Sequence, residues 1–240
     1  MKKYILILLA AASILGTGCD TLQAIEKTVN ASTSSGGLTE TDIVAGLKQA
    51  LEVGTGNAVG ILNKNDGYLG DALVKIMFPA EAQRAADKLR QLGMGKLVDD
   101  FVVTMNRAAE RASAEAKPIF VDAVKSMTIS DARSILSGPD NAATEYFKGR
   151  TTTALTEKFT PVISNALNSS NATKYWTDIT TTYNKIPLVT KVETDLVKYT
   201  TGKALDGLFT KLADEEKKIR VDPAARVTAL LQKVFGAVKK

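Results

Sequence analysis

The sequence predicts an all-α fold, an irregular multi-helix bundle of roughly eight to ten helices with no significant sheet. Apolar residues recur at helical spacing along most of the chain after Thr39. Glycine, proline and Asn-Asp-Gly breaks interrupt this pattern at short intervals, which favours a bundle over a long coiled coil. No segment shows the alternation of apolar and polar residues that is typical of a half-buried strand.

The first residues, MKKYILILLAAASILGTGC, are typical of a secretion signal that ends at the only cysteine of the chain. Two lysines precede an apolar run of twelve residues, which is too short to cross a membrane. The small residues before Cys19 resemble the lipobox of bacterial lipoproteins, although Gly16 stands where that pattern prefers leucine. An odd cysteine also suits acylation in an oxidising compartment. The alternative is an ordinary secreted protein with an unused cysteine.

Three segments are therefore expected: a signal peptide at 1–18, a lipidated N-terminus and flexible tether at 19–38, and a single all-helical domain at 39–240. Residues 31–38, ASTSSGGL, have the small, polar and glycine-rich composition of a flexible linker. The expected location is the bacterial cell envelope, with the protein anchored to a membrane on the periplasmic or the outer surface.

In the first half of the domain, helices are expected to begin at Thr39, Leu69, Pro79 and Lys96. A hydroxyl cap with acids in the first turn marks Thr39, and residues 63–67, NKNDG, end that helix. The segment from Leu69 to Met77 shows one apolar helical face. The helix from Lys96 has the clearest apolar stripe of the chain, and Pro118 kinks or ends it.

In the second half, helices are expected to begin near Thr128, Asp140, Thr151, Tyr175, Val192 and Pro223. Residues 128–131, TISD, are close to a capping box, with aspartate in place of the usual glutamate. Residues 137–139, SGP, stop this helix, and Asp140 can cap the next. Asp222 before Pro223 combines a cap with proline at the first helical position.

Missing residue types exclude several classes of chemistry. The chain contains no histidine, which excludes histidine acid–base catalysis, serine or cysteine activation by histidine, and histidine metal sites. The lone cysteine is assigned to lipid, and neither a Ser-x-x-Lys motif nor a Walker-type phosphate loop occurs. The net charge of +5 falls to +3 without Lys2 and Lys3, which is too mild for a nucleic-acid-binding surface. No catalytic residue, metal, cofactor or nucleic-acid partner is expected.

Six polar residues are candidates for a binding site or a buried polar network: Asn106, Arg107, Glu110, Glu216, Arg220 and Arg226. Asn106 and Glu110 flank the apolar stripe of one predicted helix, and Arg107 stands three residues before Glu110. They could line a cleft, or they could hold this helix to its neighbour through hydrogen bonds. Glu216 falls inside an apolar stripe and needs a cation or donors, with Arg220 four residues on. Buried ion networks usually fix geometry rather than perform chemistry.

Two further segments leave alternatives open. Residues 137–147, SGPDNAATEYF, could form an anion-binding loop at a helix N-terminus or a tight turn into a capped helix. The aromatic group of Tyr175, Trp176 and Tyr183 could bind a lipid or sugar, or it could pack in the core. The carboxylate pairs at 99–100 and 215–216 are neighbours about 100° apart on a helix, so neither forms an acid–base dyad by itself.

Several segments, taken together, carry a resemblance to a known family. They are LKQAL (47–51), NDGYLGDALVKIMFP (65–79), LRQLGMGKLVDDFVVTMNRAAERASAEAKPIF (89–120), MTISDARSILSG (127–138), AATEYF (142–147), ALDGLF (204–209) and EEKKIRVDPAARVTALLQKVF (215–235). As a set they resemble the bacterial "domain of unknown function 4197" family of exported, lipoprotein-like helical proteins. The resemblance implies one family domain from about Leu38 to the C-terminus. It implies no activity, and no residue inherits a catalytic role from it.

Three functions are compatible with these observations. The first is an envelope protein held at the membrane by its N-terminal lipid, which acts as a binding or interaction module for a protein partner or a small hydrophobic ligand. The second is an unrecognised enzyme based on carboxylates and arginines, which predicts a pocket where Glu110 and Glu216 converge. The third is a structural envelope component, which predicts a large exposed apolar patch or self-association. The lack of a catalytic signature favours the first.

The anchor is tested by Cys19→Ser in the full chain. The variant should leave the membrane fraction and lose incorporation of labelled fatty acid, because the acylated thiol is gone. Thr21→Ser, two residues further on, is the matched control and should stay with the membrane. Continued membrane association of Cys19→Ser would refute the anchor.

Overall fold

The computed structural model describes residues 39–185, 187–188, 191–193 and 195–237. The expected signal peptide, Cys19 and the expected tether lie outside the described residues. The α-helices are α1 (Glu40–Leu62), α2 (Gln83–Gln91), α3 (Gly95–Ser113), α4 (Ala116–Lys125), α5 (Ile129–Ser137), α6 (Ala142–Ser169), α7 (Ala172–Tyr183), α8 (Leu196–Val221) and α9 (Ala229–Ala237). Short 3₁₀ turns at Ala80–Ala82 and Pro223–Ala225 precede α2 and α9.

The prediction of an all-α multi-helix bundle is confirmed. Within the described ranges the regular elements are helices, and no strand occurs. None of the described helices is both long enough and apolar enough to span a membrane.

Helix α8 is the central element of the bundle. It packs against α6 and α1, and it also contacts α3 and α7. Its buried residues are spread over most of its circumference, as expected for a helix enclosed by neighbours. The helices α3 and α4 in turn pack against α6, while α9 covers α1. Side chains of α8 therefore reach several other elements.

Two aromatic clusters fill the core. Phe78, Phe101 and Trp176 lie with ring centroids 5.3 to 5.5 Å apart, and Phe120 packs edge-on against Phe147 and more distantly against Phe209. The indole N–H of Trp176 donates to the carbonyl of Glu193 at 3.0 Å. Trp176 is thus a core residue with its polar atom satisfied, whereas Tyr175 beside it is exposed.

Residues 63–79 differ from the prediction, and we call them the strap. The sequence predicts a helix at 69–77, but this segment consists of turns and extended backbone. The backbone N–H groups of Tyr68, Leu69 and Ile76 donate to side chains on α3 instead of to carbonyls of their own segment. Buried side-chain acceptors replace the helical hydrogen bonds, so the local apolar pattern does not decide the conformation.

The long helix α6 also differs from the prediction. The sequence predicts separate helices from Asp140 and Thr151, but one helix runs through both. The hydroxyls of Thr151, Thr152, Thr156 and Thr160 each donate to the carbonyl four residues earlier, so these threonines are satisfied inside the helix. The N-cap position of this helix is Asn141 rather than Asp140, and Asn141 carries no side-chain cap bond.

Two local signals agree with the structure, whereas the helix expected from Pro223 is a 3₁₀ turn followed by α9 from Ala229. Thr128 and Asp131 form the capping box at the start of α5, with the Asp131 N–H donating to the Thr128 hydroxyl at 3.1 Å and the Thr128 N–H to the Asp131 carboxylate at 3.0 Å. The Asp131 carboxylate accepts from the backbone N–H and the hydroxyl of Thr128, and these two bonds hold its pKa below the ordinary value. Helix α3 ends at Ser113 and α4 begins at Ala116, so the helix is interrupted just before Pro118. The proline ring would clash with the preceding turn inside a continuous helix.

A close contact between α8 and the strap is tested by Gly207→Ala. A Cβ at Gly207 would lie 2.6 Å from Cε1 of Tyr68 and 3.2 Å from Cβ of Val74. Overpacking should lower the free energy of unfolding by about 1–3 kcal/mol, against the gain of up to about 1 kcal/mol that alanine brings to a helix. In the matched control Gly60→Ala on α1, no atom lies within 4 Å of the new Cβ, so stability should rise. Urea unfolding should show a lower free energy of unfolding for Gly207→Ala and a higher one for Gly60→Ala. A change of the same sign in both variants would contradict the contact.

Candidate functional site

The first cluster of candidate residues holds the strap against α3. Glu110 is buried, and its Oε1 accepts the backbone N–H groups of Tyr68 at 3.1 Å and Leu69 at 3.2 Å. Its Oε2 accepts from Arg107 at 2.7 Å. Arg107 also donates to Asp66 at 2.8 Å, and its pKa is raised by the hydrogen bond to Glu110 and, less, by Asp66. The carboxylate is therefore shared between two backbone donors and one guanidinium.

Asn106, one turn earlier on α3, holds the other end of the strap. Its amide oxygen accepts the N–H of Ile76 at 2.9 Å, and its amide nitrogen donates to the carbonyl of Ile76 at 2.8 Å. The same nitrogen donates to the carbonyl of Val102 at 2.8 Å. A side-chain amide with both ends bonded to one residue fixes that residue as a strand partner would, although the partner here is a helix.

Helix α8 fastens the strap from the other side. The phenol of Tyr68 is fully buried and donates to the carbonyl of Ala204 at 2.7 Å, and burial raises its pKa well above the ordinary value. Asp71 forms an ion pair with Lys211 at 2.6 Å, which lowers the pKa of Asp71 and raises that of Lys211. The Tyr199 hydroxyl donates to the carbonyl of Met77 at 3.1 Å. The strap is thus bonded along its length to two helices.

The second cluster lies on the last turns of α8, around Glu216. Its Oε1 accepts the N–H of Ala143 at 2.9 Å, and its Oε2 accepts both the N–H and the hydroxyl of Thr144 at 2.8 Å. These N–H groups belong to the first turn of α6, where the helix itself offers no acceptor. Glu216 therefore takes the place of the anion that the sequence allowed for at residues 137–147, and it caps α6 from another helix.

Arg220 and Arg226 complete this cluster by bonding to the C-terminal ends of helices. Arg220 donates to Glu216 at 2.8 Å and to the carbonyl of Ile135, in the last turn of α5, also at 2.8 Å. Arg226 donates to the carbonyls of Ile219 and Arg220 at the end of α8. Carbonyls at helix C-termini carry partial negative charge, so guanidinium groups suit these positions.

The six candidates form two separately bonded groups. Among the described residues no hydrogen bond or ion pair joins the group of Asn106, Arg107 and Glu110 to the group of Glu216, Arg220 and Arg226. A cavity of about 20 Å³ lies beside Glu216 and Arg220, with a lining that is otherwise mostly apolar. This volume holds about one water molecule. The arrangement binds backbone groups of the chain itself and leaves no space there for a substrate.

Two side chains that the sequence analysis did not single out, Asp71 and Lys211, contribute to these networks, and so does Glu215, which was named only as half of a carboxylate pair. Asp71 and Lys211 pair across the strap, and Glu215 is buried and accepts from Asn57 of α1 at 2.9 Å. Lys211 and Glu215 stand in a run of charges that is typical of an exposed helix face, so the sequence carries no local signal for them. Within the described part of the chain, no group of three or more Asp, Glu or Cys residues is arranged to hold a metal ion.

The outer face of the strap is different in character from these satisfied clusters. A groove of about 300 Å³ lies between the strap and α8. Leu73 and Met77 line it and are 73% and 57% exposed. Lys75 from the strap and Lys203 and Asp206 from α8 add charged groups to the lining. The groove combines large apolar side chains with a charged border.

Comparison with known protein families gives a match over most of the chain. A family model described as a protein of unknown function (DUF4197) matches residues 37–236. No curated protein and no solved structure matches the chain.

Helix capping by Glu216 is tested by Glu216→Gln. The amide keeps one oxygen acceptor but loses the charge, which leaves Arg220 buried without its anion. The free energy of unfolding should fall by about 3–5 kcal/mol, as for other broken buried ion pairs. The matched control Glu145→Gln removes an exposed carboxylate of α6 and should change stability by no more than about 0.5 kcal/mol. A loss in Glu216→Gln as small as that in the control would contradict the capping role.

Proposed function

We propose that this chain is a lipid-anchored protein of the bacterial cell envelope whose folded domain binds a protein partner. The chain belongs to the DUF4197 family. The binding surface is the outer face of the strap together with the adjoining face of α8. One observation carries this proposal: an irregular segment is bonded along its length to two helices and yet presents two large apolar side chains to solvent.

The rigidity of the strap supports a binding role. Ordering a mobile loop on association opposes binding, whereas a surface that is fixed beforehand avoids that penalty. The strap is held by Asn106, Glu110, Tyr68 and the Asp71–Lys211 pair, and none of these contacts requires Leu73 or Met77. The inner contacts fix the backbone, and the outer side chains remain available for a partner.

The composition of the groove supports a protein as the partner. Protein interfaces combine an apolar centre with a polar border, and methionine is enriched in them. Leu73 and Met77 supply the apolar centre, while Lys75, Lys203 and Asp206 supply the border. The alternative of a small hydrophobic ligand would require these side chains to enclose it, but both are more than half exposed.

The proposed anchor limits where such a partner can be. About twenty residues separate Cys19 from the start of α1, and a flexible linker of this length spans roughly 25 Å on average. A domain on such a tether remains close to the membrane surface. The partner would then belong to the same envelope compartment.

No observation favours the enzyme alternative. Glu110 and Glu216 each accept at least three hydrogen bonds from backbone, hydroxyl or guanidinium donors, so neither presents an oxygen to a substrate. The structural alternative predicts that the exposed apolar residues join copies of this chain. It is distinguished from the partner proposal by the experiment below.

The proposal is tested by placing a photo-reactive residue at position 73 of the full chain in its native membranes. Irradiation should give one discrete adduct with a protein other than this chain. A photo-reactive residue at Val227, which is also well exposed but lies outside the strap, is the matched control and should not give that adduct. The partner identified by mass spectrometry should then bind the purified chain. Leu73→Asn should raise the Kd of this complex at least tenfold, whereas Val227→Asn should not.

Three outcomes would overturn the partner proposal. A cross-linked dimer of this chain would support the structural alternative, and a mass increase below about 1 kDa would support a small hydrophobic ligand. Equal adducts from positions 73 and 227 would show that the strap has no special role. Thermal unfolding of Leu73→Asn should match that of the wild type, because the side chain is mostly exposed.

A further inference from the structure

The main chain of the strap has a bonded side and an open side at Ile76. Asn106 on α3 accepts the N–H of Ile76 at 2.9 Å and donates to its carbonyl at 2.8 Å. That N–H shares a peptide unit with the carbonyl of Lys75, and that carbonyl shares one with the N–H of Met77. In a trans peptide unit the N–H and the carbonyl point in opposite directions, and no described peptide bond is cis. The Lys75 carbonyl and the Met77 N–H therefore point away from α3.

The open side of the strap faces α8 and the groove between them. The Lys75 carbonyl and the Met77 N–H take part in no hydrogen bond within the described part of the chain. In extended backbone the carbonyl and the N–H of one residue lie on the same side. The Met77 carbonyl accepts from Tyr199 of α8 at 3.1 Å, which places the Met77 N–H on that side as well. Both strap residues line the groove, and Met77 is 57% exposed.

An unpaired carbonyl and an unpaired N–H on either side of one residue are what the edge of a β-sheet offers to a further strand. A segment lying alongside would donate an N–H to the Lys75 carbonyl and accept the Met77 N–H. Residues 75–79 belong to neither a helix nor a turn, so the backbone is already suited to this pairing. Where peptides bind by adding a strand, main-chain hydrogen bonds supply affinity and side-chain contacts supply specificity.

The side chains around this edge indicate the composition of the segment. Leu73 and Met77 are exposed and offer apolar contacts. Lys75 has no ion-pair partner among the residues that the structure describes, whereas Lys203 on α8 has Asp206 at 3.4 Å. Two lysines and one carboxylate thus line the groove. An acidic segment is complementary to this charge, and a basic segment is repelled by it.

We propose that an extended, acidic segment of the partner protein pairs with the strap as a β-strand, through main-chain hydrogen bonds to the Lys75 carbonyl and the Met77 N–H. This inference rests on the proposed function, since it states how the partner occupies the same groove. Apolar side chains of the segment contact Leu73 and Met77. Its carboxylates lie near Lys75 and Lys203.

The proposal is tested with the full-length chain and an acetylated octapeptide of alternating valine and glutamate as the probe. This peptide should bind saturably at concentrations below about 1 mM in a fluorescence titration. A matched peptide with lysine in place of glutamate tests the charge. The glutamate peptide N-methylated at every residue tests the main-chain bonds, because it has no N–H to donate. Both matched peptides should bind at least tenfold more weakly.

Two variants at position 77 separate the main chain from the side chain. Met77→Ala removes the exposed side chain and keeps the N–H, whereas Met77→Pro removes both. The extended backbone of Ile76 is compatible with a following proline, and the Met77 N–H has no partner to lose, so both variants should fold. Thermal unfolding checks this. Met77→Pro should bind the glutamate peptide at least tenfold more weakly than Met77→Ala.

Hydrogen exchange measured by NMR on the wild type gives a readout that needs no variant. The amide proton of Met77 should exchange more slowly when the glutamate peptide is bound. The amide proton of Ile76 is already bonded to Asn106 and is the internal control, so its exchange should change little.

Four results would each overturn the strand pairing. They are no saturable binding of the glutamate peptide, equal binding of either matched peptide, equal affinities of Met77→Ala and Met77→Pro, and unchanged exchange at Met77. The partner proposal is judged separately by the adduct at position 73. An adduct with a partner protein together with any of these four results would overturn the strand pairing and leave the partner proposal standing.

Discussion

Buried carboxylates that accept backbone N–H groups from distant segments are the interaction on which this fold depends. Glu216 on α8 bonds to the first turn of α6, and Glu110 on α3 bonds to the strap. In each case the donors would otherwise lack an acceptor in a place closed to water. Each carboxylate also has an arginine beside it, which offsets the burial of its negative charge. The bundle is therefore joined by polar contacts as well as by its apolar core.

Charged residues on apolar helix faces can serve either a site for other molecules or the internal structure of the protein. Polar side chains on apolar helix faces are what a catalytic site would require, but here they bind the backbone of the chain itself. The proposed binding role falls instead to an open groove beside the strap, which Leu73 and Met77 line. This groove lies along α8. The central helix thus supplies internal contacts on its buried sides and borders an open groove along one edge.

Local signals in the sequence predict most helices and several of their ends. The capping box at Thr128 and the break before Pro118 depend on residues within one turn of each other, so they can be recognised without the fold. The strap could not be predicted in the same way. Its apolar spacing is helical, and the partners that override this spacing, Asn106 and Glu110, are thirty or more residues away in the sequence.

The candidate network was also recognisable only in part, because some of its contacts are local in the sequence and others are not. A carboxylate inside an apolar stripe indicates burial, and the nearby arginines at i+4 of Glu216 and i−3 of Glu110 are its partners. The backbone donors of Ala143 and Thr144 could not be inferred, because they depend on how α6 meets α8. Asp71 and Lys211 gave no signal at all, since each resembles an ordinary surface charge until the strap crosses α8.

The position of α8 near the end of the chain has a consequence for the order of folding. The strap and α6 are synthesised before α8, but the groups that fasten the strap and cap α6 stand on α8 at Ala204, Lys211 and Glu216. Until Glu216 has been synthesised, the N–H groups in the first turn of α6 can donate only to water. Contacts of long sequence separation close slowly, because a long loop must be ordered before they form. The domain therefore completes its folding only after nearly all of its residues have been released.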